Sequence, residues 1–339
     1  MRGLQSTRPT DPLEFGKVSK RRYDTAMAMY PRLSAVTILG MVLVTLLWSL
    51  CFPLIVTGAL HAPSPLLFAA LRALLAGILL VAFAGLIGAW YWPSRREYGS
   101  LAVIGLSFTA VGFGGMFLGA GYLSSGIATV LANIQPLIAS LLAYWFLNEV
   151  ITGRMLTGLL IGFGGVVILA LPGMEPDTAR LGGTLFVIFG AVGTAVGNVL
   201  LKRHSDSGNL WLPMGLQLMI GSVFLTGGSI ALGEDWLVHW NWEFGAVLFA
   251  LSVPATALMI VLWHALLARA PLTQLNPFMF LTPAFGLFIG ATFLGERFTL
   301  IELTGVAVTL AGLALIVLTR SPAAPGEKTA TSSAEDHHQ

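Results

Sequence analysis

The chain has 339 residues, 56% of them hydrophobic and only 10% charged, with a formal net charge of +2 and a mean hydropathy of +0.82. Soluble domains carry about 25% charged residues, so a surface this apolar needs lipid around it. The small net charge, with no basic-aromatic patch, excludes a nucleic-acid partner, and the one cysteine, Cys51, excludes an intramolecular disulfide or a Cys-rich metal site.

Residues 1–33 hold Arg2, Arg8, Lys17, Lys20, Arg21, Arg22 and Arg32 without an apolar stretch. They read as a disordered cytoplasmic tail, not a signal peptide, and Met27 and Met29 are alternative starts. A helix needs about 20 apolar residues to cross a hydrocarbon core of about 30 Å. Ten such runs follow, at roughly 34–60, 64–89, 100–121, 125–147, 152–171, 182–203, 210–232, 244–266, 272–294 and 299–319. Their hydrophobicity is continuous rather than alternating, which predicts an all-α membrane protein and not a barrel. Residues 320–339 read as a second disordered tail.

Lysine and arginine are retained on the cytoplasmic side. With the N-terminus inside, the inner segments hold the seven tail cations plus Arg95, Arg96, Arg154, Lys202, Arg203, Arg269, Arg320 and Lys328. The outer loops hold only Arg180 and Arg297, and Arg72 alone is left, clearly inside a run rather than at its end. Both termini are therefore expected in the cytoplasm, with the chain in the cell (inner or plasma) membrane. Trp90, Tyr91 and Trp92, and Trp236, Trp240 and Trp242, stand where interfacial anchors belong.

A shift of 147 residues superposes runs 4–5 on runs 9–10: Pro136 falls on Pro283, Glu149 on Glu296, Thr152 on Thr299, Gly158 on Gly305 and Gly165 on Gly312. The earlier runs match more weakly, Arg72 falling near Gln217 at an offset of 145. Five runs per half is an odd number, so the halves 34–171 and 182–319 are expected to enter the membrane from opposite sides, as in secondary transporters.

Leu46–Phe52, Phe68–Leu75, Pro136 through Glu149 and Thr152, and Pro283 through Gly295, Glu296, Arg297 and Phe298 resemble the drug/metabolite transporter superfamily, EamA-type branch. The first copy departs in having Asn148 where the second has Gly295. The resemblance implies a ten-helix bundle of two five-helix repeats and, often, export of amino acids or other metabolites. Lipids, nucleotide sugars and organophosphates are alternatives on the same fold, and a receptor or sensor is an alternative outside transport. An enzyme would need a nucleophile with its base, or a metal cluster, at membrane depth, and the runs show neither. No cofactor and no metal are expected; the expected partners are a small-molecule substrate and the bilayer, with a homodimer left open.

Mid-span prolines release the carbonyl four residues back, for Pro136 and Pro283 those of Ala132 and Met279. Freed carbonyls in matching helices point to a binding site or hinge, and Pro53 beside Trp48, Ser49 and Phe52 interrupts run 1 in the same way. Arg72 lies eight residues into its helix, ~12 Å from the outer end. It is a candidate for a substrate carboxylate, the alternative being that it snorkels outward or ties its helix to loose carbonyls near Pro53. Asn133, Gln217 and Thr282 complete the candidate cavity, with interhelical bonding as the alternative for each. Gln135 lies ~200° from Asn133 on an ideal helix and is expected to face elsewhere. His264 reads as structural. Glu149 is expected to pair with Arg154 or cap its own helix turn, and Glu296 and Glu302 also lie at run ends. No acid stands mid-span to carry a coupled proton. Gly112, Gly114, Gly115, Gly119, Gly121, Gly158 and Gly162 read as close-packing positions.

The charge asymmetry makes the first prediction. A cysteine introduced after residue 320 should react with impermeant thiol reagents only from the cytoplasmic side, and labelling from outside would invert the topology.

Overall fold

The computed structural model describes residues 33–62, 64–123, 125–171, 178–205, 209, 211–294 and 299–318. Among them the helices form ten runs in chain order: α1 (Ala35–Ala59), α2 (Pro65–Leu86), α3 (Arg95–Ala120), α4 (Ser125–Ala132 then Gln135–Phe146), α5 (Gly153–Ala170), α6 (Thr178–His204), α7 (Trp211–Ala231), α8 (Trp242–Leu267), α9 (Leu272–Leu275, Asn276–Phe280, Leu281–Leu294) and α10 (Leu300–Val317). Eight of these are long and apolar enough to cross a bilayer, while the apolar stretch in α5, Gly153–Ile168, is shorter and α9 is broken. Both expected tails, and Glu296 with Arg297, lie outside the described residues.

The starts are set by small polar residues ahead of the apolar runs. Ser34, Ser94, Thr152 and Asn241 each accept a backbone N–H three residues on, from Thr37, Glu97, Met155 and Phe244, satisfying one of the donors a helix leaves open. At α10 the Thr299 amide donates to Glu302 Oε2 at 2.7 Å and the Glu302 amide donates to Thr299 Oγ1 at 3.3 Å, a reciprocal capping box. Glu302 therefore has a structural task.

Breaks within the helices recur at equivalent places in the two halves. In α3 the ladder widens into a π-helical stretch at Gly105–Val111, and in α8 at Val253–Leu258. α4 is interrupted at Asn133–Ile134 and α9 passes through a 3₁₀ segment at Asn276–Phe280. α1 is interrupted at Leu50, beside Ser49, whose carbonyl the Pro53 ring would crowd.

The halves meet through glycine. A Cβ on Gly158 would stand 2.8 Å from the Gly312 carbonyl, and one on Gly165 would stand 2.7 Å from that of Gly305. Since Gly305 and Gly312 are the 147-residue counterparts of Gly158 and Gly165, the two contacts exchange under that shift, as a two-fold relation between α5 and α10 requires. Thr309 Oγ1 donates to the carbonyl of Gly162, its own counterpart, at 3.5 Å. α3 meets α6, and α2 meets α7, in the same close manner at Gly115 with Gly190 and Gly77 with Gly215.

Gly165→Ala is expected to lower the thermal midpoint in detergent, by the equivalent of about 1–3 kcal/mol, because backbone has to move. Gly164→Ala, whose Cβ would meet nothing within 4 Å, should not. Equal midpoints for the two variants would dismiss the tight α5–α10 crossing.

Candidate functional site

Proline chemistry and the repeat together place the site. A small, partly open cavity is lined by Trp48 and Phe52 of α1, Met116 of α3, Thr194 of α6, and the interrupted parts of α4 and α9. From α4 come Ala132, Asn133, Gln135 and Pro136, and from α9 come Met279 and Thr282. Ala132 and Met279 are 147 residues apart, as are Gln135 and Thr282. Residues equivalent under the repeat therefore line one space, which puts the cavity on the axis relating the halves. Ala132 and Met279 are also the residues whose carbonyls lose their i+4 amide to Pro136 and Pro283; that of Met279 accepts the Leu281 amide instead.

Several polar side-chain atoms around this space have no partner. They are Asn133 Oδ1, Gln135 Nε2 and Thr282 Oγ1, all buried. Asn133 uses only its Nδ2, which donates to the Thr129 carbonyl at 2.7 Å. Unpartnered buried polar atoms are rare in folded proteins, so a cavity presenting an acceptor, a donor and a hydroxyl offers hydrogen bonds to a guest. The apolar part of the wall is Trp48, Phe52, Met116 and Met279, and among the described residues no charged side chain lines it. Gln135 joins Asn133 here, against expectation from helical spacing, because the interruption at Asn133–Ile134 resets the periodicity between them.

The structure places Arg72 and Gln217 elsewhere. Arg72, 0% exposed, donates through Nε to Thr256 Oγ1 at 2.6 Å and through Nη2 to the Ala255 carbonyl at 3.3 Å and to Cys51 Sγ at 3.1 Å. Its guanidinium carbon lies 4.3 Å from the Phe113 ring centre, a cation–π contact. It thus ties α2 to the π-helical stretch of α8, not to carbonyls near Pro53. Gln217 Oε1 accepts from Thr109 Oγ1 at 2.7 Å, tying α7 to the π-helical stretch of α3. Thr109 and Thr256 are 147 residues apart. The weak match of Arg72 with Gln217 is therefore one arrangement made twice, each side chain bonded to a threonine in a widened turn of the other half.

At the end of the bundle bearing the α4–α5 and α8–α9 turns, charged side chains close helix termini. Glu149, buried, accepts from the amides of Leu272 and Thr273 at 2.9 and 2.8 Å. It caps α9, rather than pairing with Arg154 or capping its own helix turn. Arg203 donates to the Phe146 carbonyl at 2.7 Å, and Lys202 donates to the carbonyls of Leu267 and Ala270. Tyr91 donates to Glu97; burial first, then this carboxylate, holds its phenol above the usual range. At the opposite end, Glu234 accepts from the amides of Leu66 and Leu67, each at 3.0 Å. His264 is fully buried in α8, away from the cavity lining.

Long apolar helices, an internal two-fold and a central cavity set at helix breaks define a multi-pass membrane transporter. Residues 35–171 and 181–318 each match the model of the EamA-like transporter family, and the chain belongs to that family. A Bacillus subtilis protein named as the uncharacterized transporter YvbV is 27% identical, over 83% of this chain and 91% of its own length. An Escherichia coli protein named as a probable amino-acid metabolite efflux pump is 26% identical, over 80% of this chain and 91% of its own. A crystal structure 18% identical superposes with a TM-score of 0.69, covering 84% of this chain and 98% of the other, and shares the fold. The relatives are named as transporters, and the chain is not an enzyme.

One pair of variants tests the contact between Arg72 and Thr256. Arg72→Lys and Thr256→Val should each lower the thermal midpoint, and a double-mutant cycle should give a coupling of about 1.5–3 kcal/mol, the range for a bond to a charged group. Additive effects would mean that the two side chains are not partners.

Proposed function

We propose that the protein is a secondary transporter that moves a small amphipathic metabolite, an amino acid or a related compound, outward by alternating access. The observation that carries this reading is the cavity on the repeat axis, where residues 147 apart meet and Asn133, Gln135 and Thr282 hold unpartnered atoms. Trp48 and Phe52 supply the apolar wall against which a side chain or ring would rest, and the three polar groups orient its ends. A mostly apolar pocket with a few placed polar groups is the usual form of a small-molecule site.

Neutral lining argues for a solute without net charge. A zwitterion can lay its carboxylate against Gln135 Nε2 and its ammonium against Asn133 Oδ1. A nucleotide sugar or organophosphate would bring its phosphate into a space that, among the described residues, no lysine or arginine lines, where charge-assisted bonds are wanting. Arg72, committed to Thr256 and Ala255, is assigned to the wall. Ten crossings with both termini cytoplasmic complete the reading, supported by the placement of fifteen of the 18 cations at one set of loops and tails. The outward direction is taken from the relative named as an efflux pump. The energy source is a gradient, of the substrate or of a coupled ion.

Flux of a panel of amino acids and phosphate esters into proteoliposomes tests the function. Neutral amino acids or close relatives should be carried. Asn133→Ala and Thr282→Val should each reduce flux by at least tenfold, with the thermal midpoint nearly unchanged. Preferential carriage of phosphate esters, or full flux in both variants, would reject this site.

A further inference from the structure

The cavity is not the only place where α4 and α9 leave polar atoms without partners. Between the cavity and the Glu149 end, the piece Gln135–Phe146 of α4 packs against Leu272–Leu275 and Asn276–Phe280 of α9. On these packed segments Ser140 Oγ, Thr273 Oγ1, and both Oδ1 and Nδ2 of Asn276 are buried and unpartnered. Ser140 stands one turn beyond Pro136, a cavity-lining residue, toward Glu149. Asn276 is 0% exposed, and its amide can make up to four hydrogen bonds, none of which its side chain makes here.

Inside a bilayer no water reaches such groups from the lipid side, and burying them unbonded is unfavourable. Four such atoms on two helices that pack together have a physical explanation if the seam between the helices opens and the groups are solvated in another conformation. The seam ends at Glu149. Its carboxylate, carried by the turn after α4, holds the first two amides of α9 and so joins the two helices where the seam would part. Arg203 and Lys202, neighbours on α6, hold the end of α4 at Phe146 and the turn before α9 at Ala270, which brings both sides of the seam onto one helix.

We propose that this seam between α4 and α9 is the closed inner half of the translocation path, and that Glu149 on the Leu272 and Thr273 amides is its latch. Ser140, Thr273 and Asn276 line the path and bond to water or to the passing amphipathic solute when it is open. The proposal rests on the transport reading above and adds the route from the cavity and the residue that closes it. Glu149 is thereby a positioning residue: it touches α9 and not the solute.

Thiol accessibility tests the route without requiring that the substrate be known. In a Cys51→Ser background, which keeps an acceptor for Arg72, single cysteines are placed at Ser140, Asn276 and Leu141, the last on an outward-facing position of α4. The full-length protein in membrane vesicles of each orientation is treated with a membrane-impermeant cationic methanethiosulfonate. Cysteines at 140 and 276 should react from the Glu149 side, and that at 141 should not. Glu149→Gln, which removes the charge and one acceptor, should raise the rates at 140 and 276 by at least tenfold. Where it lowers the folded yield, Glu149→Asp, which keeps the charge but draws the oxygens back, makes the same comparison. Rates at 140 and 276 no greater than at 141 in every background would overturn the path. Reaction at 140 and 276 that neither Glu149 variant accelerates would overturn the latch. Opening of the seam in a protein that carries no solute in proteoliposomes would sink the transport reading and leave the seam standing.

Discussion

In hydrocarbon a backbone amide or carbonyl has no water to turn to, so each place where a helix is widened, interrupted or ended must be met by another group of the protein. Much of the polar chemistry of this chain follows from that constraint. The π-helical stretch of α8 is held by Arg72 through Thr256 and the Ala255 carbonyl, and that of α3 by Gln217 through Thr109. The start of α9 is held by Glu149, and the start of α2 by Glu234. Once these are set aside, unpartnered side-chain atoms remain on α4 and α9, and also on α8 at Ser252 and His264. The cavity and the seam beneath it are where the rule is left unmet on α4 and α9, and where a solute or water can meet it.

Much of this was legible in the sequence, because hydrophobic length, proline and a repeat at fixed spacing each act locally. Pro136 and Pro283 located the breaks in α4 and α9, and Trp48, Phe52, Asn133 and Thr282 do line one cavity. What was not legible depends on contacts between distant residues. Arg72 in an apolar run announces an uncompensated charge but not its partner, and Thr256, 184 residues on, is an ordinary-looking threonine. Gln135 was excluded by the 100° step of an ideal helix, and that step fails where the helix is interrupted. Pro254 stands in the widened turn of α8, whereas its counterpart in α3 contains no proline. Only the 147-residue shift, carried back from Thr256 to Thr109, could have pointed to it.

The one departure between the two copies of the Leu-x-Glu ending also has a backbone cause. Asn148 has φ of 54°, the left-handed conformation that commonly ends a helix. Glycine reaches it without strain and asparagine is the next most tolerant residue, so Asn148 can stand where the second copy has Gly295. The turn redirects the chain so that Glu149 leaves the axis of α4 and reaches the first amides of α9. Helix ending and latch are therefore one device: a residue that tolerates the left-handed turn, followed at once by the carboxylate that the turn aims.

Where the charge sits decides what the cavity can hold. Arg72 is surrounded by a hydroxyl, a carbonyl, a thiol and the face of Phe113, all neutral, and its Nη1 has no partner. A lysine could not replace it, since the contacts use the planar fork at two nitrogens and the stacking of the guanidinium on a ring. Such a wall stabilises one positive charge by dipoles, with no counter-ion among the described residues. Among the described residues, the lining itself offers neither an acid for a cation nor a lysine or arginine for a phosphate. What remains favourable is a molecule whose own charges cancel and whose ends can each take a hydrogen bond. Such a solute can also be let go, because a few hydrogen bonds to neutral groups bind less tightly than a desolvated ion pair, and a carrier has to release on the far side what it took up on the near one.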